Sequence, residues 1–252
     1  MERLIHTALN SISNNRDSKI ISAQNLANQS VPGYRRDLPN EGGTLFLNAL
    51  QGASARAFQI ETGVHQFSEE PGAVNQTGEP LDVAIADKGY FYILPENGDP
   101  ALTRRGDLNR NANGELVNGA GAQMLDPDMQ PIVLPSFTAI QIDGLGQIMI
   151  MPQDGAPGVW EEAGVLATVV PENTPLRKFD DGQIRSVEGS LPEPNQRAMI
   201  RQRFLEASNV NTVEELLETI ELQRGFELGI KLISTAKQND EAGARLMRMP
   251  EG

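Results

Sequence analysis

Apolar residues near the beginning of the chain recur at the spacing of an α-helix. Residues 3–28 contain no Gly or Pro, and their apolar positions lie three or four residues apart over most of this stretch, which predicts an amphipathic helix. The polar run from Asn14 to Asp17 narrows the apolar stripe, so we expect this helix to need a packing partner. Pro32 biases the residue before it away from helical dihedral angles and Gly33 tolerates the turn that follows, so the helix should end by about residue 30.

A second helical pattern occupies residues 209–248. Asn211 and Thr212 each precede a Glu by three residues, which is the capping-box arrangement of a helix N-terminus. At about 1.5 Å per residue, a helix over residues 211–246 would be roughly 50 Å long, which is more than one small domain needs. We therefore predict that the two terminal helices pair with each other as a coiled coil or a bundle.

Between residues 71 and 204 the pattern changes to short apolar runs separated by Gly, Pro, Asn and Asp. These runs are typical of β-strands: LDVAIA (81–86), GYFYIL (89–94), GELV (114–117), AQML (122–125), AIQID (139–143), QIMIM (147–151) and VLATVV (165–170). Asn113-Gly114 is a hairpin turn signal. Such spacing predicts an all-β sandwich or a barrel-like domain rather than alternating strands and helices.

The fold class predicted from these patterns is a multidomain α+β protein. Residues 1–36 and 205–252 form a discontinuous helical domain with coiled-coil-like pairing, and residues 71–204 form the all-β domain. Residues 37–70 contain several Gly and no sustained period, so we interpret them as an extended linker.

The charge balance excludes several partners. The chain has 34 acidic and 21 basic residues and a formal net charge of −13, so its overall field repels nucleic acid and anionic membranes, both of which are bound through Lys and Arg. There is no Cys, so neither disulfides nor thiolate metal ligands are available. We see no apolar run long enough to span a membrane and no Sec-type signal at the N-terminus.

No pattern in the sequence indicates catalysis, a cofactor or a metal. His6 and His65 have no zinc-like spacing, and paired acids such as Asp180-Asp181 are interpreted as solvated turn residues rather than as an acid and base pair. The Gly-containing stretches lack the complete fingerprint of a dinucleotide or phosphate site. Arg105-Gly106-Asp107 lies between two strand-like runs and is interpreted as a turn rather than an adhesion motif. No catalytic site is visible, while two long terminal amphipathic segments are, and this combination favours assembly over catalysis.

Several stretches carry a family resemblance. They are MERLIHTAL (1–9), AQNLANQSVPGYRRD (23–37), PLDVAIADKGYFYI (80–93), LTRRGDLNRNANGELVNGAGAQML (102–125) and EASNVNTVEELLETIELQRGFELGIKLISTA (206–236). Together, and in this order, they resemble a bacterial flagellar basal-body rod protein. Gln24 and Val31 depart from the usual pattern of the family, in which Asn and Thr are common. The opening and the short stretch after Arg36 are most similar to the proximal rod subunit, and the distal rod or hook protein is the alternative.

The resemblance implies a structural role. The terminal helices would form an inner domain that stacks with copies of the chain and with other rod proteins into a hollow shaft through the periplasm, with the β domain outside. Export would use the flagellar type III apparatus without signal cleavage, and Pro32-Gly33 would mark the exit from the inner domain. Arg35 and Arg36 become candidates for pairing with an acidic neighbouring subunit. Coiled-coil or inter-subunit packing is predicted at Ile5, Leu9, Ile12, Leu26, Val213, Leu217, Ile220, Leu228 and Leu232.

A remote alternative from another class is a secreted carbohydrate-binding β protein. It predicts saturable sugar binding on an aromatic platform, but the chain has one Trp and three Tyr. That composition disfavours the alternative because sugar platforms depend on exposed aromatic rings.

Overall fold

The computed structural model describes residues 2–39, 64–96, 98–156, 158–172, 174–187 and 190–247. The chain divides into two compact units. The first comprises Met1–Ala27, Asp37–Thr62 and Asn211–Gly252, and the second comprises Asn28–Arg36 and Gly63–Val210.

The first unit contains the two terminal helices. Helix α1 spans Glu2–Ala27 and helix α2 spans Thr212–Met247, while the short strand β1 spans Asp37–Leu38. The Oδ1 atom of Asn211 accepts a hydrogen bond from the Val213 amide at 3.1 Å, and Glu214 and Glu215 lie in the first turn of α2. Capping and acidic residues at this end stabilise the helix dipole. Both helices begin and end within about three residues of the ranges that the sequence predicts.

The second unit is built from strands. They are β2 (Val64–Phe67), β3 (Val74–Gln76), β4 (Val83–Ile85), β5 (Tyr90–Leu94), β6 (Ala101–Thr103), β7 (Leu108–Arg110), β8 (Leu116–Asn118), β9 (Gln123–Met124), β10 (Phe137–Ile142), β11 (Gln147–Pro152), β12 (Glu161–Val165), β13 (Thr168–Val169), β14 (Leu176–Phe179), β15 (Ile184–Ser186), β16 (Ile200–Gln202) and β17 (Phe204–Glu206).

The strands of this unit pair in antiparallel fashion. The main sheet has the order β2-β14-β15-β6-β5-β9-β8-β7, and β13 pairs with β5 beside this path. Three smaller sheets have the orders β10-β11-β12, β16-β4 and β17-β3. Sequence neighbours pair in β5-β6, β7-β8, β8-β9, β10-β11, β11-β12 and β14-β15, and short loops suffice to connect these strands.

Strand β5 lies at the centre of the unit and is buried on both faces. Phe91 and Ile93 belong to a core cluster that includes Ile140 and Ile148 of the β10-β11-β12 sheet. Tyr90 and Tyr92, which point the other way because side chains alternate along a strand, belong to a second cluster. The continuous apolar run in the sequence therefore marks a strand with two buried faces.

The hairpin between β7 and β8 forms where the sequence predicts it. Gly114 has a φ of 88°, and the Oδ1 atom of Asn111 accepts hydrogen bonds from the amides of Asn113 and Glu115, both at 2.9 Å. An Asn side chain that bonds to amides two and four residues later stabilises such a turn locally. The neighbouring strands β8 and β9 also pair in antiparallel fashion.

The structure is mostly β with helices at the two ends, and it corrects one part of the predicted fold class. The described strands do not close into a barrel, because the main sheet has β7 as an edge strand and the remaining strands pair in separate small sheets. The predicted coiled coil between α1 and α2 stays a prediction.

The unit boundaries also differ from the expected domains. Residues 28–36 and 205–210 cluster with the strands rather than with the helices, because β17 pairs with β3 and Gly33 bonds to Glu206. Within the expected linker, residues 64–67 form strand β2, and residues 40–63 lie outside the described part of the chain.

Candidate assembly surface and buried ion cluster

Helix α2 exposes a row of large apolar side chains. We define the α2 stripe as Val213, Leu217, Ile220, Leu228 and Leu232, each of which is between 50% and 64% exposed. In the described part of this helix, three further apolar side chains are exposed outside the stripe: Leu216, Phe226 and Ile230. Because large exposed apolar patches are typical of interaction sites, the stripe is a candidate assembly surface.

The opposite face of α2 contacts α1 through small residues. A Cβ atom added to Gly229 would lie 2.8 Å from Cγ1 of Ile12, and one added to Gly225 would lie 2.9 Å from Nδ2 of Asn15. Near the other end of α1, Lys19 Nζ donates a hydrogen bond to Gln223 Oε1 at 3.0 Å. Later residues of α1 contact earlier residues of α2 in these pairs, so the two helices run antiparallel. The glycines, which lower helix propensity, permit the close approach.

A buried carboxylate fixes the beginning of α2 against the end of α1. Glu215 is fully buried, and its Oε2 atom accepts a hydrogen bond from Ser22 Oγ at 2.5 Å while Oε1 accepts one from Asn25 Nδ2 at 3.1 Å. Asn25 also bonds to the backbone of Asp37 in both directions, at 2.8 and 3.0 Å. Because a buried carboxylate needs such donors, these residues fix the register of the two helices.

The predicted packing residues fall into three groups. The side chain of Ile12 is half-buried at Gly229, and that of Leu26 is also half-buried. Ile5 and Leu9 lie in α1, but their side chains are outside the described part. The five residues of the α2 stripe are exposed, so within one chain they are not the face that packs on α1.

The turn after α1 is held by the strand unit. Helix α1 ends at Ala27, and Gly33 has a φ of 67°. The Gly33 amide donates a hydrogen bond to the Glu206 carbonyl at 2.7 Å. A Cβ atom at position 33 would overlap the Arg104 carbonyl group and lie 2.7 Å from the Arg105 amide nitrogen, so both the dihedral angle and the space require glycine.

A buried ion cluster lies beside this turn and consists of Arg35, Arg104 and Glu206. Glu206 Oε1 lies 2.9 Å from Arg35 Nη2, and Glu206 Oε2 lies 2.6 Å from Arg104 Nη2. The three side chains are between 1% and 3% exposed. Arg104 also donates to the carbonyl oxygens of Ile85, Asp87 and Gly89. Burial lowers the pKa of Arg35, and the Glu206 carboxylate opposes that shift.

This cluster corrects the expectation for Arg35. The sequence analysis makes Arg35 a candidate for pairing with a neighbouring subunit, but its guanidinium is buried against Glu206 of the same chain and donates to the Glu70 carbonyl. The Arg36 amide donates to Asn209 Oδ1 at 2.6 Å. Sequence reasoning missed the cluster because its members come from three distant segments and form no local motif. The one signal in the sequence is that Arg35 and Glu206 lie before and just after the β pattern of residues 71–204.

The other chemically interesting residues have structural partners. Arg105 and Asp107 pair with each other at 2.7 Å across their turn. Asp181 Oδ1 accepts the Gln183 amide, and Asp181 Oδ2 lies 2.6 Å from Arg185 Nη1. Within the described ranges, no group of three His, Asp or Glu side chains is arranged to hold a metal ion. No helix in this part of the chain is long and apolar enough to cross a membrane.

A β-rich unit and a long helix with exposed apolar side chains are features of a structural subunit. Two family models match parts of the chain: "Flagellar hook protein FlgE/F/G D1 domain" over residues 84–150 and "Flagellar basal body rod FlgEFG protein C-terminal" over residues 201–246. The first match covers the centre of the β-rich unit, and the second covers β17 and most of α2.

Curated relatives match along nearly the whole chain. The flagellar basal-body rod protein FlgF of Caulobacter vibrioides is 31% identical over 90% of both chains. FlgF of Salmonella typhimurium is 27% identical over 99% of this chain and 100% of its own. FlgG of Buchnera aphidicola subsp. Acyrthosiphon pisum is 30% identical over 86% of this chain and 89% of its own. The chain belongs to the flagellar basal-body rod protein family and is a structural component of the flagellar basal body.

Proposed function

We propose that this chain is a non-catalytic subunit of the proximal part of the rod. It polymerises with copies of itself and with other axial proteins into the hollow shaft that transmits motor torque to the hook and filament. The match to FlgF of Salmonella typhimurium over the full length of both chains supports a FlgF-type subunit rather than a distal rod or hook protein. The sequence resemblance supports a place in the periplasm and export through the flagellar type III apparatus without signal cleavage.

The exposed α2 stripe carries this proposal. Burying an apolar side chain contributes roughly 1.5–3 kcal/mol, so a row of exposed Leu, Ile and Val is unfavourable in water and favourable against another apolar helix. The occupant we propose is the helical part of a neighbouring axial subunit. In the assembled rod, α1 and α2 are members of a coiled coil or bundle. Ile12 and Leu26 of α1 pack within the chain, and the α2 stripe packs on the neighbouring subunit.

Leu217→Asp tests the surface. Leu217 is 57% exposed, so the substitution should change the stability of the monomer little, whereas a carboxylate buried in an apolar interface is costly. We expect the variant to be exported but absent from purified basal bodies, and cells that carry only this variant should be non-motile. The matched control is Ser234→Asp, which adds the same carboxylate at an exposed polar position of α2.

Normal motility with Leu217→Asp would overturn the proposal, and so would equal loss of motility with the control.

The position of the subunit along the rod is tested by a separate experiment. Electron microscopy of basal bodies from cells that lack this subunit should show a rod that stops at one defined level near the inner membrane. A rod that is shortened only at its far end would instead favour the distal rod alternative, and a rod of full length without a hook would favour the hook alternative. Cross-links to the adjoining subunits identify the neighbours in both cases.

A further inference from the structure

Glu206 joins three segments that are far apart in the sequence. Its Oε1 atom accepts the Gly72 amide at 2.9 Å as well as Arg35 Nη2. Its backbone carbonyl accepts the Gly33 amide at 2.7 Å, and its strand β17 pairs with β3. Glu206 therefore ties the segment 28–36 and the segment that leads into β3 to the last residues of the strand unit.

Asn209, three residues after Glu206, makes hydrogen bonds to the same neighbouring segments. Its Oδ1 atom accepts the Arg36 amide at 2.6 Å, and its own amide donates to the Tyr34 carbonyl at 3.3 Å. Its Nδ2 atom donates to the carbonyl oxygens of Ser68 and Glu70, at 3.3 and 2.7 Å. The segment 28–36 is thus fastened to residues 206 and 209 along its length and not at a single point.

The direction of these ties determines how they respond to tension. Gly33 contacts Glu206, and Tyr34 and Arg36 contact Asn209, so the two segments run side by side in the same direction. A pull applied before residue 33 and after residue 209 stretches them in opposite senses. Bonds loaded in this way share the tension and must break together, whereas bonds at the end of a hairpin break one after another.

Arg104 anchors this junction to the core. All of its guanidinium nitrogens donate hydrogen bonds, to Glu206 and to the backbone between β4 and β5. Those strands carry Ile85 and Phe91, which are at most 1% exposed. Tension that reaches Glu206 is therefore passed to the most deeply buried part of the unit rather than to a surface loop.

We propose that Arg35, Arg104, Glu206 and Asn209 form a mechanical clasp, which holds the first and last segments of the strand unit together when the subunit is under tension. The clasp rests on the proposed function, because a rod subunit carries torque. Replacing a buried ion pair by apolar residues is often neutral for equilibrium stability. Directional charged bonds, however, resist sliding of one segment along another, which apolar contacts tolerate.

The test is single-molecule force spectroscopy on the full chain. The chain has no native Cys, so Ser30→Cys and Val213→Cys provide handles that load the clasp. Gln130→Cys and Gln153→Cys provide a second geometry in which the clasp does not lie between the handles. The lifetime under constant load reports the rate of forced unfolding.

Three sets of substitutions are compared in both geometries. Glu206→Gln keeps the shape and removes the charge, and Asn209→Ala removes the second set of ties. The triple variant with Arg35→Met, Arg104→Met and Glu206→Leu replaces the ions by apolar residues and guards against a Glu206→Gln chain that does not fold. Glu172→Gln, which breaks the exposed pair with Arg197 at 2.5 Å, is the matched control.

With the clasp-loading handles, we expect Glu206→Gln and the triple variant to shorten the lifetime at least about tenfold. Asn209→Ala should shorten it by about threefold. In the second geometry, and for Glu172→Gln in both, the lifetimes should stay within about twofold of the unsubstituted chain. The triple variant should keep its denaturation midpoint. An unchanged lifetime across the clasp, or equal shortening in both geometries, overturns the proposal. The measurement uses isolated chains, so its failure is distinguishable from a failure to assemble.

Discussion

Gly33→Ala combines a strained backbone conformation and a close backbone contact at one position. Gly33 has a φ of 67°, and an added Cβ atom would overlap the Arg104 carbonyl group. The atoms it would meet belong to the backbone, which cannot turn aside as a side chain can. The neighbouring hydrogen bond from the Gly33 amide to Glu206 would be displaced together with the backbone.

The magnitude follows from three contributions. A left-handed conformation costs an L-residue about 1–2 kcal/mol, overpacking against fixed atoms costs about 1–3 kcal/mol, and one lost hydrogen bond costs about 1 kcal/mol. We therefore expect Gly33→Ala to destabilise the strand unit by about 3–6 kcal/mol. Gly78→Ala is the matched control, since Gly78 has a φ of 86° and nothing lies within 4 Å of the added Cβ. It should cost only the conformational part, about 1–2 kcal/mol.

Urea unfolding followed by fluorescence measures the difference. Trp160 is the single tryptophan of the chain and lies beside β12, so its emission reports on the strand unit. The expected result is a midpoint for Gly33→Ala well below that of Gly78→Ala, with similar slopes. Equal midpoints for the two variants would show that the contact with the Arg104 backbone contributes nothing, and would refute this reasoning.

Two further predictions concern the helices and the core. Gly243→Ala should stabilise α2 by about 1 kcal/mol, because nothing lies within 4 Å of the added Cβ. Gly229→Ala should not give this stabilisation, because its Cβ would collide with Ile12, and adding Ile12→Ala should restore it. Thermal unfolding followed by circular dichroism compares the variants, and equal stabilisation by the two Gly→Ala substitutions would contradict the packing of α2 on α1. Burial raises the pKa of Tyr92, so its contribution to stability is present below the ordinary pKa of about 10 and is lost as the pH rises above it. Between pH 9 and pH 11, the free energy of unfolding should therefore fall less for Tyr92→Phe than for the unsubstituted chain, and the difference should be about 1 kcal/mol or more. Urea unfolding at the two pH values measures it.

The helices and the central strands could be predicted because their signals are local. Pro32 and the absence of earlier Gly or Pro delimit α1, and the continuous apolar run gives β5. Asn113-Gly114 gives the hairpin between β7 and β8. In each case the residues that determine the element lie within it or next to it, so periodicity and turn chemistry are sufficient.

The remaining elements depend on contacts that are distant in the sequence. Strand β14 contains Lys178, which is buried with its Nζ atom donating to the Arg35 carbonyl at 3.0 Å, and β16 contains Arg201 paired with Ala84. Charged residues within very short strands do not resemble strands until their partners are known. The buried pairing of Arg35 with Glu206 was missed for the same reason, since two residues from opposite ends of a domain carry no shared pattern.

The face of α2 that packs on α1 was also not predictable from apolar periodicity. The sequence places its large apolar residues in the α2 stripe, but the contact with α1 uses Gly225, Gly229 and the buried Glu215. Small and polar residues at a helix contact act through close approach and hydrogen bonding. The apolar signal instead marks the surface for which we propose a second subunit.

Chemical labelling of Leu228→Cys tests the central claim most directly. Leu228 is 62% exposed and the chain has no other Cys, so a maleimide should label the isolated subunit rapidly. In purified basal bodies the same position should be protected, and its reactivity should return after dissociation. Equal labelling of the isolated subunit and the intact basal body would contradict the proposal that the α2 stripe is the assembly surface.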